Sequence, residues 1–420
     1  MASKRSPAMG FIFLTLLIDV IGFGLIIPVM PDLIKMLAHT DNSHAATISG
    51  WMLFTYAVMQ FIFAPILGNL SDKYGRRPIL LFSLLGFGID YLFLAFAPSI
   101  EWFFVGRIIA GITGASFTTA SAYIADISTD ENRAQNFGLI GAAFGVGFVI
   151  GPSLGGLLGH WGIRVPFYAA AGLCLLNFLY GLLVLPESLG KNNRRPFEWK
   201  RANPFGALRA LRKYPSVSGL VTCLVLVYLA SHAVQSNWSF FGVERFGWSE
   251  LMIGISLTVV GVLVGGVQGG LTRVINPKLG NEKSIYLGLA LYALGLLLFS
   301  LANQSWMMFL FLVPYCLGGI AGPSLQAIIS GGVPANEQGE LQGALTGLIS
   351  VTSIVGPLVM TNLFAYFIGK KAPFYFAGAP FLLGAVLMLV AVLLAYRTLH
   401  SKKLHLNKEV DILKDGAVGH

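Results

Sequence analysis

Charge is scarce in this chain. Of its 420 residues only 11% are Asp, Glu, Lys or Arg, while 55% are hydrophobic. Soluble domains carry about 25% charged residues, so a water-soluble globule of ordinary composition is excluded. Cysteine is scarcer still: Cys174, Cys223 and Cys316 fall within apolar runs at no metal-ligand spacing, which reads as small buried apolar residues rather than a metal site. No nucleophile elbow, metal cluster or phosphate-binding loop is present, so neither an enzyme nor ATP use is expected. No cleavable leader is expected either. The first apolar run follows Lys4 and Arg5, but it is too long for a signal core and lacks a clear small-residue cleavage site, so it is expected to stay as a span.

What is present instead is long apolar runs, and the mean hydropathy is +0.73. Crossing the hydrocarbon core takes about 20 mostly apolar residues. Twelve runs qualify, near 10–31, 47–67, 79–97, 102–124, 134–159, 166–185, 217–241, 250–271, 284–301, 305–330, 341–367 and 374–396. The expectation is an all-α integral membrane protein with twelve transmembrane helices. With the N-terminus inside, 22 of the 28 Lys and Arg fall on one side, five on the other (Lys35, Arg164, Arg245, Lys370, Lys371), and Arg107 lies within a span. That asymmetry is the positive-inside pattern and places both termini in the cytoplasm. The basic balance then reflects orientation in a membrane, and nucleic acid is not expected as a partner.

The longest polar interval, 186–216, splits the spans six and six. The expected division is an N-terminal six-helix bundle over 1–188, a cytoplasmic central loop over 189–215, a C-terminal bundle over 216–398 and a cytoplasmic tail over 399–420. Within the loop, Phe205, Leu208 and Leu211 share one helical face, as in a short helix on the membrane surface; a plain flexible linker fits equally. The halves echo each other. Gly151-Pro152 and Gly356-Pro357 stand 205 residues apart, and "GITGAS" at 111 returns as "GIAGPS" at 319. Such symmetry marks parallel repeats in a transporter built from two pseudo-symmetric six-helix bundles.

Four of the few charges, Asp72, Lys73, Arg76 and Arg77, crowd into one turn, "GNLSDKYGRRPILL", between the second and third spans. Gly75 permits the turn and Pro78 starts the next helix. This stretch resembles the G-x-L-x-D-x-x-G-R-R-P signature of the major facilitator superfamily. The resemblance implies the fold of that superfamily and a charge cluster of Asp72 and Arg76, with Asp126 as a partner of Arg76, that latches the two halves in one conformation. An ion pair formed in one state and broken in another biases a two-state equilibrium. A solvated basic loop is the plain alternative. The second half keeps only "GGLTRVINPKLG", without the acid.

Ionisable residues within spans are costly and mark function by default. Asp19, Asp90 and Arg107 are the three here, Asp19 and Asp90 being expected near the midplane. Either they pair to hold helices together, or an aspartate binds and releases a proton as its surroundings alternate. The second half offers no acid at comparable depth, so coupling should reside in the first. Gln60, His232, Gln235, Trp238, Gln326 and Gln342 interrupt apolar runs and are candidates to line a substrate cavity; as polar groups they equally serve as interhelical hydrogen-bond partners.

The fifth span, "GLIGAAFGVGFVIGPSLGG", spaces small residues for close helix packing. Its G-P-x-x-G-G ending, at Gly151 and Pro152, also resembles the antiporter signature of exporters. Together with "LIDVIGFGLIIPVMP", "IDYLFLAFAPS", "GRIIAGITGAS", "RFGWS" and "LQGALTGLISVTSIVGPL", the chain resembles the tetracycline/proton antiporters through all twelve spans. That resemblance implies a monomeric exporter of an amphipathic, tetracycline-like small molecule in the inner membrane, surrounded by lipid and driven by protons without a cofactor. It assigns proton coupling to Asp19, Asp90 and Arg107 and gating to Asp72 and Arg76. Whether the substrate travels as a metal chelate stays open. Two departures stand out: Tyr292 occupies the place of an acid in the ninth span, and His232 that of a glutamine. A proton-coupled importer of a metabolite, or an exporter of an unrelated hydrophobic compound, remains the alternative.

Overall fold

In the computed structural model, which describes residues 6–114, 116–129, 133–199, 217–333 and 337–417, the regular elements are all helical. Among the described residues twelve helices are long and apolar enough to cross a membrane. Spans 1 to 6 run Ser6–Ile26, Asn42–Tyr74, Arg76–Phe96, Ile100–Ile127, Arg133–Gly159 and Val165–Val184; spans 7 to 12 run Ser218–Phe246, Glu250–Leu279, Asn281–Leu301, Ser305–Gly331, Gln338–Ile368 and Ala379–Ala417. Helices suit this setting because lipid offers no partner for a backbone amide or carbonyl. The surface-lying helix expected near 204–215 lies outside the described residues.

The helix ends carry chemistry the hydropathy pattern omits. Asp41 caps span 2, its carboxylate accepting from His44 N at 2.9 Å, and span 2 runs on seven residues past the apolar run to Tyr74. Gly75 then takes φ 110°, a region closed to most side chains, and span 3 starts at once. Among the described residues three spans are interrupted. Span 4 stops at Thr113 and resumes at Ser116, span 8 carries a π turn at Val267–Leu271, and span 10 a 3-10 turn at Gly318–Ile320.

The antiporter-like ending of span 5 is an interlock. Its glycines sort onto two faces. On one, a Cβ on Gly151 would sit 2.9 Å from Ile21 O, and one on Gly155 would sit 2.9 Å from Leu25 Cα, both in span 1. On the other, a Cβ on Gly156 would meet Glu250 O of span 8 at 2.6 Å, while Gly254 of span 8 faces Pro152 O. Spans 11, 7 and 2 repeat this: Gly356 lies against His232 of span 7, and Pro357 O lies 3.6 Å from a Cβ built on Gly50 of span 2. The Gly-Pro repeat read from sequence is therefore a repeated contact, each pair wedged between one helix of its own half and one of the other.

We call the end bearing the Asp72 turn the near end. Hydrogen bonds that join the halves include Asn42 Nδ2 to Phe240 O (3.1 Å), Ser43 Oγ to Ala365 O (2.8 Å) and Thr258 Oγ1 to Val149 O (3.3 Å), together with a Ser153–Thr258 contact. All of these lie toward the far end. Nearer the Asp72 turn spans 5 and 8 part, since a Cβ on Gly138, Gly141, Gly145, Gly265, Gly269 or Gly270 would have nothing within 4 Å. The molecule is closed at the far end and open at the near end.

Candidate functional site

Counting back from the far end puts the buried charges at one level. Asp19 is seven residues before Ile26, Asp90 six before Phe96 and Arg107 seven after Ile100, about 10 Å in at 1.5 Å per residue. Counted from the other end, Asp90 lies 14 residues after Arg76, where span 3 starts, about 21 Å in, instead of the about 16 Å counted from Ile79. The charges form the floor of the opening, just behind the far-end contacts.

Arg107, 8% exposed, is paired with Asp90, 1% exposed. Gly106 lets them meet: a Cβ there would come 2.7 Å from Asp90 Oδ1. A charge taken out of water this far stays ionised only with a partner, and the guanidinium supplies it. Asp19 differs. It is 8% exposed, and neither carboxylate oxygen has a hydrogen-bond partner; Ser116 stands beside it without meeting that geometry. Tyr56 and Tyr91 lie within electrostatic reach of Asp19, Asp90 and Arg107 alike, which ties the three charges into one neighbourhood. Among the described residues no acid of the second half is buried. The arrangement offers one paired and one unpaired carboxylate at the closed end of a cleft.

The polar candidates divide. Gln326 Nε2 donates to Gln342 Oε1 at 2.9 Å, so these two meet, nearer the open end. Gln235 is exposed midway along span 7; an exposed amide at that depth faces the opening rather than lipid. Thr346 and Ser350 follow Gln342 along span 11 and bond only to their own helix. His232 is buried beside Gly356 with Nε2 unpartnered. Gln60 is engaged: its amide donates to Gly114 O at 3.1 Å and Tyr56 Oη at 3.0 Å. Trp238 does not line the opening. It is 2% exposed, donates to Ser256 Oγ at 2.8 Å and packs edge-on against Phe299, because an indole has only one polar atom to satisfy and a large apolar face to bury. Tyr292, in the place of the acid, stacks edge-on with Tyr315 and against Gly318.

At the near end Arg76 is the hub. Its guanidinium reaches Asp72 Oδ1 at 2.5 Å, Asp126 Oδ2 at 3.1 Å and Ser71 Oγ at 2.6 Å. The cluster joins spans 2, 3 and 4 to the segment after span 6, with Asp126 the partner of Arg76 as expected; among the described residues these bonds stay within the first half and the segment that follows it. Glu187 is a member the sequence reading missed. Its Oε1 accepts from Arg76 N (2.8 Å) and Leu189 N (3.0 Å), and its Oε2 accepts from Arg77 N (3.3 Å). A carboxylate at a helix N-terminus satisfies amides that have no partner in the helix. The signal available was the lone acid in "LPES", directly after span 6.

Comparisons with known proteins give the family and the fold. The chain matches the Major Facilitator Superfamily over residues 12–287 and 275–414. It is 42% identical to the class C tetracycline resistance protein of Escherichia coli, covering 93% of this chain and 96% of that one. With the class E protein of Escherichia coli it shares 39% identity, over 86% and 88%. Among solved structures, the human organic anion transporter MFSD10 superposes with a TM-score of 0.69 at 24% identity, covering 93% of this chain and 99% of that one.

Proposed function

Because this chain belongs to the major facilitator superfamily and is a transporter, not an enzyme, we propose that it exports an amphipathic, tetracycline-like drug in exchange for protons by alternating access. The observation that carries the reading is the pair of buried aspartates at the closed end of the opening, one held by Arg107 and one without a partner. The likeness to the tetracycline resistance proteins supports the choice of cargo. In this reading the near end faces the cytoplasm, as the positive-inside pattern has it, and the protein sits in the inner membrane as a monomer with both termini inside. The drug enters between the halves and contacts Gln235, Gln326 and Gln342 with Thr346 and Ser350. Proton binding at Asp19 removes an unpaired buried charge, and that change in energy is what a conformational equilibrium can use. Asp72, Arg76, Asp126 and Glu187 hold the first half's near end in the open arrangement. In this reading the two halves are the six-helix bundles of 1–188 and 216–398, joined by the central loop of 189–215 and followed by the tail of 399–420.

The test is drug-induced proton flux. Inverted vesicles acidified by respiration should lose part of their proton gradient on adding tetracycline. Asp19→Asn should abolish the response at equal protein level. No response of the native protein to any tetracycline, or a full response from Asp19→Asn, rejects the proposal.

A further inference from the structure

A break in a membrane helix leaves carbonyls with no amide one turn ahead, and in lipid something else must accept that duty. Spans 4 and 10 each contain an interruption, and at each an amide side chain from a neighbouring span donates to a backbone carbonyl there: at Gly114 it meets the carbonyl of a residue outside the helix, and at Ile320 it adds to the carbonyl that opens the next helical segment. At the first, Gly114 leaves helical geometry with ψ 37°, and Gln60 Nε2 of span 2 donates to its carbonyl at 3.1 Å. At the second, Asn276 Nδ2 of span 8 donates to Ile320 O at 3.1 Å and to Ser324 Oγ at 2.9 Å. The surroundings repeat too. Gly86 of span 3 packs against Thr113 at the first break; Gly288 of span 9 packs against the second, where a Cβ would lie 2.7 Å from Ala321 N and 2.9 Å from Gly318 O. Gln60 and Asn276 do not correspond by the 208-residue offset, which leads from Gln60 to Gln268 in the π turn. The device belongs to the breaks and not to one repeated residue.

We infer that Gln60 and Asn276 are hinge clamps: each fixes the angle between the two segments of the interrupted span beside it. Arg107 lies on the segment before the first break, seven residues ahead of Gly114. The angle of that segment decides whether its guanidinium meets Asp90, which makes Gln60 a positioning residue for the buried ion pair. Asn276 does the corresponding work for span 10, where Tyr292 packs against Gly318. The purpose of the clamps rests on the transport reading above; their existence does not.

Hydrogen–deuterium exchange of the protein in lipid nanodiscs tests them, read on peptides covering 108–120 and 314–326. Gln60→Met should speed exchange at the first break on the order of fivefold, the equivalent of one net hydrogen bond, and leave the second unchanged. Asn276→Leu should do the reverse. Gln60→Met should also displace the pH profile of drug-driven proton flux, whereas Asn276→Leu should lower the maximal rate with the profile in place. Unchanged exchange at both breaks, or exchange raised uniformly along the chain, overturns the clamps. Locally raised exchange with an unmoved pH profile overturns the positioning role of Gln60. A protein that moves no drug still returns the exchange result, so the two readings fail separately.

Discussion

Replacing Asn42 with alanine should pull the far end open without unfolding either half. Asn42 Nδ2 donates across the divide to Phe240 O at 3.1 Å and to Glu244 Oε2 at 3.0 Å. A neutral hydrogen bond contributes about 0.5–1.5 kcal/mol net and one to a charged group about 1.5–3 kcal/mol. The low ends sum to about 2 kcal/mol. Both bonds exist only while the far end is closed, and water replaces them when it opens, so the loss falls on one state. At about 1.4 kcal/mol per decade the ratio of closed to open moves roughly thirtyfold, and a 99:1 preference drops to roughly 3:1. Glu244 keeps the Tyr375 hydroxyl at 3.3 Å, so no stranded carboxylate adds to the cost. The bond from Ser43 to Ala365 and the interlocked glycines remain.

Pulsed electron resonance between spin labels at Met36 and Lys371 reads the gap directly. Both positions are exposed at the far end, and the three native cysteines are buried. The native protein should give one short distance, and Asn42→Ala a second, longer population of tens of per cent. An unchanged distribution would show that these two bonds do not carry the closure and that the glycine interlock alone does.

Three further outcomes follow from the same geometry. Asp90→Asn leaves the Arg107 charge buried without its partner and should cost about 3–5 kcal/mol, read as a fall in melting temperature in detergent; Asp90→Asn with Arg107→Gln should recover stability but not transport, and a stable single variant would contradict the pairing. Gly24→Ala should cost about 1–3 kcal/mol by overpacking, since its Cβ would lie 2.7 Å from Pro152 Cδ and 2.9 Å from Gly151 Cα, whereas Gly10→Ala meets nothing within 4 Å and should melt as the native protein does. Asp72→Asn should change stability by only about 0–1 kcal/mol, because the carboxylate is 35% exposed and Arg76 keeps Asp126, yet it should stop drug-driven flux while Asp72→Glu retains more; pumping at the native rate in Asp72→Asn would reduce the turn to an ordinary basic loop.

The parts of this architecture visible in the sequence are those that hydropathy and rigid motifs dictate. Twelve apolar runs name twelve spans because lipid demands continuous helix of a fixed length. Gly75 was readable because a tight turn needs it, and Asp72 and Arg76 because their stretch resembles a known family signature. Other features depend on which helices end up adjacent. Glu187 caps span 3 only because span 6 returns beside it, and Trp238 reads as cavity or core equally well until Ser256 and Phe299 are placed around it. Span 2 outran its apolar run because Asn69, Ser71, Asp72 and Lys73 lower the hydropathy of a stretch that is still helical, ended by Gly75 and not by hydropathy. The breaks at Gly114 and Gly318 sit in "GITG" and "LGGI", strings that any membrane helix tolerates; their hydrogen-bond partners come from spans far along the chain.

The level shared by charge and closure bears on how coupling is achieved under the proposed antiport. Asp19, Asp90 and Arg107 lie six or seven residues from the far end of their spans, and Gly151, Pro152 and Thr258 lie seven or eight from theirs. The contact of Gly24 with Pro152 falls five residues after Asp19 on the same helix. The helix that presents the unpaired carboxylate is thus the helix that span 5 locks in place, and span 5 in turn locks onto span 8 of the other half. A proton from the far side cannot reach Asp19 without parting these contacts; one from the near side arrives through the open cleft. Access to the carboxylate and the position of the halves are therefore the same structural variable. Coupling then requires no relay of residues between distant sites, only that the charge on Asp19 change the energy of the contacts one turn away, which is the condition for a local change to shift a two-state equilibrium.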